Sequence, residues 1–307
     1  MKAETFRLSD NYGKKLYAYK WQPDSGKAKA AVQLVHGIME YSGRYEHFAR
    51  ELTSRQFVVY AHDHQGHGYT DPDHLGYIDA PDGFSRMCEN IRDLNDVINL
   101  THPDLPVVLF GHSMGAALAA RSLQLHPLKA DTLICSGIPG KPSVQIYPGF
   151  ALAYLFSKLF GEHRLSPFFF RLIFGPYQKP FKPGRTNMDW LSRDIYNVDS
   201  YLQHPFCGFV SSYGMYRDLM AGLIKLFKTR QLNKIPSDLP IYLMGGTADP
   251  VCNGDKGLRN TERLLRESGT YSVDVKSYEN GRHEMLQETN RQQVIADIIT
   301  WIEKSVT

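Results

Sequence analysis

The sequence lacks the features that mark several classes of protein. Its formal net charge is only +3 and it has no long run of lysine or arginine, so nothing favours a nucleic-acid partner. Residues 1–10 carry charges and no apolar segment, so no signal peptide is predicted. The sequence has scattered cysteines without Cys-x-x-Cys spacing, namely Cys88, Cys135, Cys207 and Cys252. This arrangement argues against a disulfide framework and predicts reduced thiols in a cytoplasmic protein.

Long hydrophobic runs are missing as well. The most apolar stretch, residues 148–160, is too short to cross a bilayer and contains Lys158. Hydrophobic residues make up 42% of the chain and charged residues 22%, as in ordinary globular proteins. A chain of 307 residues is long enough for one large domain with a sizeable core and an insertion.

What the sequence does contain is an alternation of strand-like and helix-like segments. The clearest helical pattern places Phe84, Met87, Ile91, Leu94 and Ile98 at steps of three and four. The alternation predicts an α/β fold, in which a mostly parallel eight-stranded sheet carries helices on both faces and begins with an antiparallel hairpin. The predicted strands are residues 5–8, 15–21, 30–36, 57–63, 107–111, 131–135, 241–245 and 272–277, and the predicted helices are 44–54, 84–101, 116–126, 256–267 and 290–304.

Residues 139–236, called the insert below, interrupt this alternation. The insert is rich in proline, phenylalanine and tyrosine, and apolar helices are predicted at 148–160 and 165–174. Because open α/β sheets bind ligands outside the carboxyl ends of their strands, we interpret the insert as a helical cap over that edge. The core would then be residues 1–138 and 237–307. The alternative is an ordinary helical subdomain, and transient contact of the cap with a membrane surface is a further hypothesis.

The sequence Gly-His-Ser-Met-Gly at 111–115 lies between an apolar run and a helix of small residues. A Gly-x-Ser-x-Gly that joins a buried strand to a helix holds a serine nucleophile on a sharp turn. This context predicts Ser113 as the nucleophile, and the alternative is a glycine-rich packing turn.

A serine nucleophile requires a base and an acid that orients the base. Where the serine lies on such a turn, the acid and then the histidine follow it in the chain. His283 follows the last predicted strand and is the only histidine after His204, which makes it the predicted base. Asp249 follows the strand at 241–245 and is the predicted acid. The competing carboxylates are less suitable, because Asp255 is better placed to cap a helix and Asp274 lies inside a strand on its solvent face.

The tetrahedral intermediate needs backbone donors for its oxyanion. We predict the amides of Met114, which follows the nucleophile, and of Ile38, in the loop after the strand at 30–36. His36 precedes Ser113 and is predicted to order that loop. The histidine-rich segment 62–68 could suit a metal ion, but no second cluster completes a coordination sphere, so a structural loop is predicted.

Six segments together resemble one known family: residues 36–46, 63–68, 111–115, 194–197 and 246–249, and the loop at His283. They are similar to the monoacylglycerol lipase and lysophospholipase branch of the α/β-hydrolase superfamily. The resemblance implies the α/β-hydrolase fold with an inserted helical lid. It implies Ser113, Asp249 and His283 as a catalytic triad, Ile38 and Met114 as the oxyanion hole, and a polar substrate end near Glu40, Arg44 and Tyr196.

Some details depart from the family or stay open. A structural ion pair is the alternative for Glu40 and Arg44, and Cys252 matches a cysteine of some members but could equally be a packing residue. Tyr41 stands where histidine is frequent, and the sequence Asp-Ser at 199–200 replaces a common Asp-Pro. Both departures lie in regions that shape the pocket, so they bear on the exact substrate.

The expected activity is hydrolysis of carboxylic esters of monoacyl lipids through an acyl-enzyme, with a small-molecule lipid ester as substrate and without cofactor or metal. Three alternatives are a serine aminopeptidase of the prolyl-aminopeptidase type, an acyltransferase, and a non-catalytic binding protein on the same fold. The last would be expected to lack a member of the triad, and all three members have candidates here.

Overall fold

The computed structural model describes residues 1–79 and 81–306. Within this part of the chain, eight strands form one sheet in the order β1-β2-β4-β3-β5-β6-β7-β8. The first two strands pair antiparallel, as do β2 and β4, and the remaining pairings are parallel, so the predicted sheet is confirmed. The strands are β1 (Lys2–Ser9), β2 (Lys15–Gln22), β3 (Ala30–Val35), β4 (Phe57–His62), β5 (Val107–His112), β6 (Thr132–Ser136), β7 (Ile241–Gly246) and β8 (Val273–Tyr278).

Helices follow most strands, and five of the α-helices in the described part of the chain lie between β6 and β7. Short 3-10 helices span Ser42–Tyr45, Lys179–Phe181 and Met285–Gln287. The α-helices are α1 (Glu46–Ser54), α2 (Gly83–Thr101), α3 (Met114–Leu125), α4 (Ile146–Phe160), α5 (Pro167–Gln178), α6 (Ile195–Gln203), α7 (Tyr213–Leu226), α8 (Thr229–Leu232), α9 (Gly254–Glu267) and α10 (Arg291–Ser305).

The sheet is covered on both faces because its parallel strands carry apolar side chains in both directions. Leu109 packs with α2, α3 and α9 on one face, whereas its neighbours Val108 and Phe110 pack with α1 and α10 on the other. The apolar positions predicted for α2 are all buried, and Asp82 caps the helix by accepting from the Ser85 amide.

The insert contains α4 to α8 and builds an aromatic cluster of its own, with Phe169, Phe174 and Trp190 among its buried members. Its last part behaves differently, because Met215 and Leu226 of α7 belong to the apolar cluster of α2 and α3. The predicted division into core and cap stays a prediction. No described helix is both long and apolar enough to cross a membrane.

Candidate active site

Ser113 lies on the turn between β5 and α3 with a strained backbone, φ 54° and ψ −121°. The flanking glycines are required by close approach of the chain. A Cβ at position 115 would lie 2.1 Å from the Val35 carbonyl oxygen, and one at position 111 would lie 2.5 Å from the Ala116 Cα. The turn therefore holds Ser113 at the carboxyl edge of the sheet, as the pentapeptide predicts.

His283 and Asp249 meet at the same edge. Nδ1 of His283 lies 2.9 Å from Oδ2 of Asp249, and both side chains are buried. The Val251 amide donates to the other oxygen of Asp249 at 2.8 Å. Gly137 packs directly on the pair, since a Cβ there would lie 3.0 Å from the His283 ring and 3.2 Å from Oδ2 of Asp249. The site thus holds the imidazole and the carboxylate in one fixed orientation.

The electrostatics of this pair suit a base held by an ionised acid. Burial acts to lower the pKa of His283, but the Asp249 carboxylate raises it above its ordinary value. Burial acts to raise the pKa of Asp249, but His283 lowers it. The ring of His112 lies 4.7 Å from that of His283, and burial together with the His283 charge lowers the pKa of His112 to about 3. His112 is therefore neutral near pH 7.

The two competing carboxylates are engaged elsewhere. Asp255 accepts from the Ser277 hydroxyl at 2.8 Å and from Arg259 at 3.0 Å. The expectation that Asp255 caps α9 is wrong, because the helix begins at Gly254 and its N-cap is Asn253 in a left-handed conformation. Asp274 is exposed on β8 and accepts from the Trp301 indole at 2.8 Å.

The predicted oxyanion donors border the same cavity as Ser113. Met114 is the first residue of α3, where backbone amides have no intrahelical acceptor. Neither its amide nor that of Ile38 donates a hydrogen bond within the described part of the chain. Next to Ile38, the Gly37 amide donates to Oε1 of Glu40 at 2.7 Å, and Met39 turns the loop with φ 59°. Two amides are thus left free beside Ser113.

Behind this loop lie four buried histidines, namely His36 and the three of the segment 62–68 that could have suited a metal: His62, His64 and His67. His36 accepts from the His64 amide at 3.0 Å, and its ring lies 4.1 Å from the His64 ring. His36 therefore links the loop that follows β3 to the segment that follows β4, which is consistent with the prediction that it orders its loop. In the described residues, no group of three or more histidine, cysteine, aspartate or glutamate side chains could hold a metal ion.

Glu40 and Arg44 form the ion pair that was the alternative to substrate binding. Nη1 of Arg44 lies 2.6 Å from Oε2 of Glu40. The guanidinium also forms a bidentate pair with Glu284, at 2.7 and 2.8 Å. Burial raises the pKa of Glu40, although the charge of Arg44 acts in the opposite direction. Burial also acts to raise the pKa of Glu284, but the charge and hydrogen bonds of Arg44 outweigh it, so the pKa of Glu284 is lowered. Tyr196 is 80% exposed and is not among the described residues that line the cavity.

Sequence reasoning assigned no role to Glu284. An acidic residue directly after the predicted base was the available signal. Its partner, Arg44, lies 240 residues earlier in the chain, and no local pattern connects the two.

A cavity of about 580 Å³ joins these groups. Its core wall contains Ile38, Glu40, Ser113, Met114, His283 and Glu284, and its insert wall is largely apolar, with Leu152, Leu172, Phe174, Trp190 and Leu219 among its members. The volume lies in the usual range of small-molecule sites. The arrangement can bind an apolar group beside a serine, a histidine and two free amides.

Known lipases are similar to this chain in sequence over most of their length. The chain is 27% identical to a monoglyceride lipase of Homo sapiens over 304 residues, 95% of this chain and 88% of that protein. It is 25% identical to a monoacylglycerol lipase of Mycolicibacterium smegmatis over 283 residues, 92% and 90% of the two chains.

Solved structures of an esterase and a lipase are similar to this chain in fold. A thermostable carboxyl esterase from Bacillus coagulans, in complex with glycerol, superposes with a TM-score of 0.92 at 26% identity over 100% of both chains. A monoglyceride lipase variant from Saccharomyces cerevisiae, in complex with a substrate analog, has a TM-score of 0.75 at 20% identity over 100% of this chain and 95% of that one. At that identity the second match shows a shared fold only.

These matches confirm the resemblance predicted from the motifs and the α/β-hydrolase fold. The sequence profile of the family described as Serine aminopeptidase, S33, matches residues 26–290. Since the match covers most of the chain, the protein belongs to the serine aminopeptidase S33 family of α/β-hydrolases.

Proposed function

We propose that this protein is a serine hydrolase that cleaves carboxylic esters of monoacyl lipids, of the monoacylglycerol or lysophospholipid type. The observation that carries the proposal is a mainly apolar cavity of about 580 Å³ whose core wall contains Ser113 and His283. An acyl chain suits the insert wall, and its ester group would lie at the polar core wall. The monoglyceride and monoacylglycerol lipases among the relatives support this choice.

In the proposed reaction, the Ser113 hydroxyl oxygen attacks the ester carbonyl while Nε2 of His283 takes its proton. Asp249 holds the other ring nitrogen and stabilises the imidazolium. The amides of Ile38 and Met114 donate to the oxyanion. Collapse of the intermediate expels the alcohol, which His283 protonates. Water, deprotonated by His283, then attacks the acyl-enzyme and releases the fatty acid, so no step needs a cofactor.

The insert acts as the cap in this proposal. Residues 139–236 supply the apolar wall through α4 and α5, opposite the strand ends that carry Ser113 and His283. The cap would shield the acyl chain from water and so favour long acyl groups over short ones.

Cleavage of an amide next to a free amine is the second candidate, because the matched family is described as a serine aminopeptidase. A cationic amine requires an unpaired carboxylate in the cavity. The two buried carboxylates of the core wall, Glu40 and Glu284, are already paired with Arg44. Both carboxylates share that one guanidinium and keep a surplus negative charge, so it is the largely apolar insert wall that favours the ester over a cationic amine.

The proposal is tested with a fluorophosphonate probe and a substrate panel. We expect the probe to label the wild-type protein and not Ser113→Ala. Ser122→Ala serves as the matched control, because Ser122 is buried in α3 and its hydroxyl donates to the carbonyls of Leu118 and Cys88, away from the cavity. Labelling that persists in Ser113→Ala contradicts the assignment of the nucleophile.

The panel contains monoacylglycerols, lysophospholipids, p-nitrophenyl esters of graded chain length and aminoacyl amides. Preference for the aminoacyl amides would replace the ester proposal with the aminopeptidase one. Transfer of the acyl group to added glycerol instead of water would identify an acyltransferase. We expect the highest kcat/KM for one of the two monoacyl lipid classes.

We also propose transient contact between the insert and a membrane surface, where such substrates reside. Large apolar side chains are exposed on and between α4 and α5, and Lys158, Arg164 and Arg171 lie among them. An apolar face with basic residues suits an anionic lipid surface. The exposed side chains are Tyr147, Tyr154, Leu155, Leu159, Phe160, Leu165, Phe168 and Leu172.

Sedimentation with anionic phospholipid vesicles tests this contact. We expect Leu159→Glu to reduce the bound fraction several-fold, because Leu159 is 65% exposed and its transfer into lipid would be lost. Leu100→Glu is the control, since Leu100 is 85% exposed near the end of α2, just before β5 begins at the opposite edge of the sheet. Equal binding of both variants contradicts the proposed surface.

A further inference from the structure

The Glu40–Arg44–Glu284 group, called the ion triad below, lies between two loops that must be aligned for catalysis. The guanidinium bonds to Glu40 at 2.6 Å and to Glu284 at 2.7 and 2.8 Å. The side chains of Glu40, Arg44 and Glu284 are 3%, 11% and 6% exposed, so their bonds are shielded from water. Shielded, charge-assisted bidentate bonds fix geometry better than exposed ion pairs do.

Each carboxylate is fixed to a different functional loop. Oε1 of Glu40 accepts from the Gly37 amide at 2.7 Å and from the Tyr45 hydroxyl at 2.8 Å. The first of these bonds orients the backbone directly before Ile38. Glu284 follows His283 in the chain, and its amide donates to the Leu191 carbonyl at 2.8 Å. One guanidinium therefore joins the loop of the oxyanion donor to the loop of the base.

We propose that Arg44 and Glu284 are positioning residues, which hold the Ile38 loop and the His283 loop in register through the ion triad. The inference rests on the proposed ester hydrolysis but assigns the triad a role other than contact with the alcohol. Displacement of a reacting group by about 1 Å can cost about 100-fold in rate. The triad limits such displacement because its two carboxylates come from two separate loops and share one rigid guanidinium.

The triad also changes the electrostatics of the base. Two carboxylates and one guanidinium leave a surplus negative charge, and after Asp249 the largest influences that raise the pKa of His283 are Glu284 and Glu40. The charged and titratable groups that face His283 or its acid are Asp249, His112, Glu40, Arg44, Glu284, Tyr177 and the thiol of Cys252, which contacts Asp249.

A second ion triad supplies a matched control. Arg217 on α7 bridges Glu162 at 2.8 Å and Asp218 at 2.7 Å, and its side chain is 8% exposed. It has the same composition of one arginine and two carboxylates, but none of the three lines the cavity. Arg217→Met therefore controls for the loss of stability that follows removal of a shielded arginine.

The experiment compares Arg44→Met, Arg44→Lys and Arg217→Met on two esters with the same acyl chain, a monoacylglycerol and a p-nitrophenyl ester. We expect Arg44→Met to lower kcat about 100-fold on both esters with little change in KM, because misalignment affects every leaving group. We expect Arg44→Lys to recover part of kcat, because it restores charge without the bidentate geometry. Arg217→Met should lower the unfolding midpoint and leave kcat within about twofold.

Two results overturn the inference. A loss confined to the monoacylglycerol, and expressed in KM, would mean that the triad binds the alcohol. A loss no larger than that of Arg217→Met would mean that it only stabilises the fold. Glu284→Gln adds a readout that a stabilising role does not affect, since we expect the acid limb of kcat/KM for the p-nitrophenyl ester to move to lower pH. An unchanged limb also counts against the inference.

Failure of the proposed function has a different signature. If the wild-type protein hydrolyses the p-nitrophenyl ester but not the monoacylglycerol, the proposed substrate class is wrong. The positioning role of the ion triad is then still tested by measuring kcat of the variants on p-nitrophenyl and ethyl esters. If the wild type hydrolyses neither ester, both proposals fall together.

Discussion

The two walls of the cavity are held together by different forces. The core wall depends on directional bonds, such as the 2.9 Å bond between His283 and Asp249 and the 2.7 Å bond between Gly37 and Glu40. The insert wall depends on ring packing, for example between Phe174 and Trp190, whose centroids are 6.3 Å apart and nearly parallel. Directional bonds fix atoms, whereas apolar packing fixes volume. The core wall should therefore control the reaction, and the insert wall should control the length of the acyl chain.

The largest expected effect is on the core wall. Replacing Asp249 by asparagine should lower kcat about 10⁴-fold with little change in KM, because an amide neither holds the required tautomer of His283 nor stabilises the imidazolium. Steady-state kinetics on a p-nitrophenyl ester measure this loss. Asp255→Asn is the control, since that carboxylate bonds to Ser277 and Arg259 on the sheet edge and not to His283. Similar losses in both variants would contradict the assignment of the acid.

Substituting alanine for one helix glycine on each side, Gly115 and Gly149, tests how rigidly the two walls are packed. A Cβ at position 115 would lie 2.1 Å from the Val35 carbonyl oxygen, so Gly115→Ala must move α3 away from β3. We expect a loss of about 3 kcal/mol or more in unfolding free energy. On the insert wall, a Cβ at position 149 would lie 3.5 Å from the Met220 sulfur, an ordinary contact.

Gly149→Ala should accordingly stabilise the protein by up to about 1 kcal/mol through the better helix propensity of alanine. Urea denaturation of both variants measures the two changes. Equal destabilisation would show that the insert wall is as tightly constrained as the core wall.

The same difference explains what the sequence could predict. The strands, the hairpin and the elbow at Ser113 follow from short-range patterns, and the structure has them within a few residues of the predicted positions. The bond between His283 and Asp249 joins residues 34 apart, but chain order and strand ends were sufficient to select both. Their catalytic roles stay a prediction until the variants are measured.

The insert was less predictable because long-range packing decides it. The sequence predicts apolar helices at 148–160 and 165–174, whereas α4 begins two residues earlier and α5 is shifted, beginning two residues later and ending four residues later. The later helix α7 was not predicted, although Met215, Leu219 and Leu226 recur at helical spacing, and its packing on α2 and α3 cannot be read from local sequence. The exposed position of Tyr196 was unpredictable for the same reason, since a sequence motif does not determine where a side chain at the start of a helix points.

A smaller effect is expected on the insert wall. Leu152 of α4 lines the cavity, and Leu152→Trp should fill part of the space for the acyl chain. We expect kcat/KM for long-chain p-nitrophenyl esters to fall about tenfold while the value for the butyrate stays unchanged. Leu155→Trp is the control, because Leu155 is 49% exposed on the same helix. An equal loss for the butyrate would mean that the insert wall also positions the reacting groups.

The smallest effect concerns pH and should be confined to the core wall. Only neutral His283 can accept the Ser113 proton, so kcat/KM must fall as the pH decreases through the pKa of His283. Burial acts to lower this pKa but Asp249 raises it, so the acid limb should lie above the ordinary histidine value of about 6.5. The described insert residues that line the cavity include no histidine, lysine, arginine or carboxyl group. The insert tyrosines do not titrate near the pKa of His283, since burial raises the pKa of Tyr177, for example, to about 12. The limb, measured between about pH 5 and 9, should therefore coincide for butyrate and long-chain esters, and a limb that moves with chain length would show that the two walls are coupled.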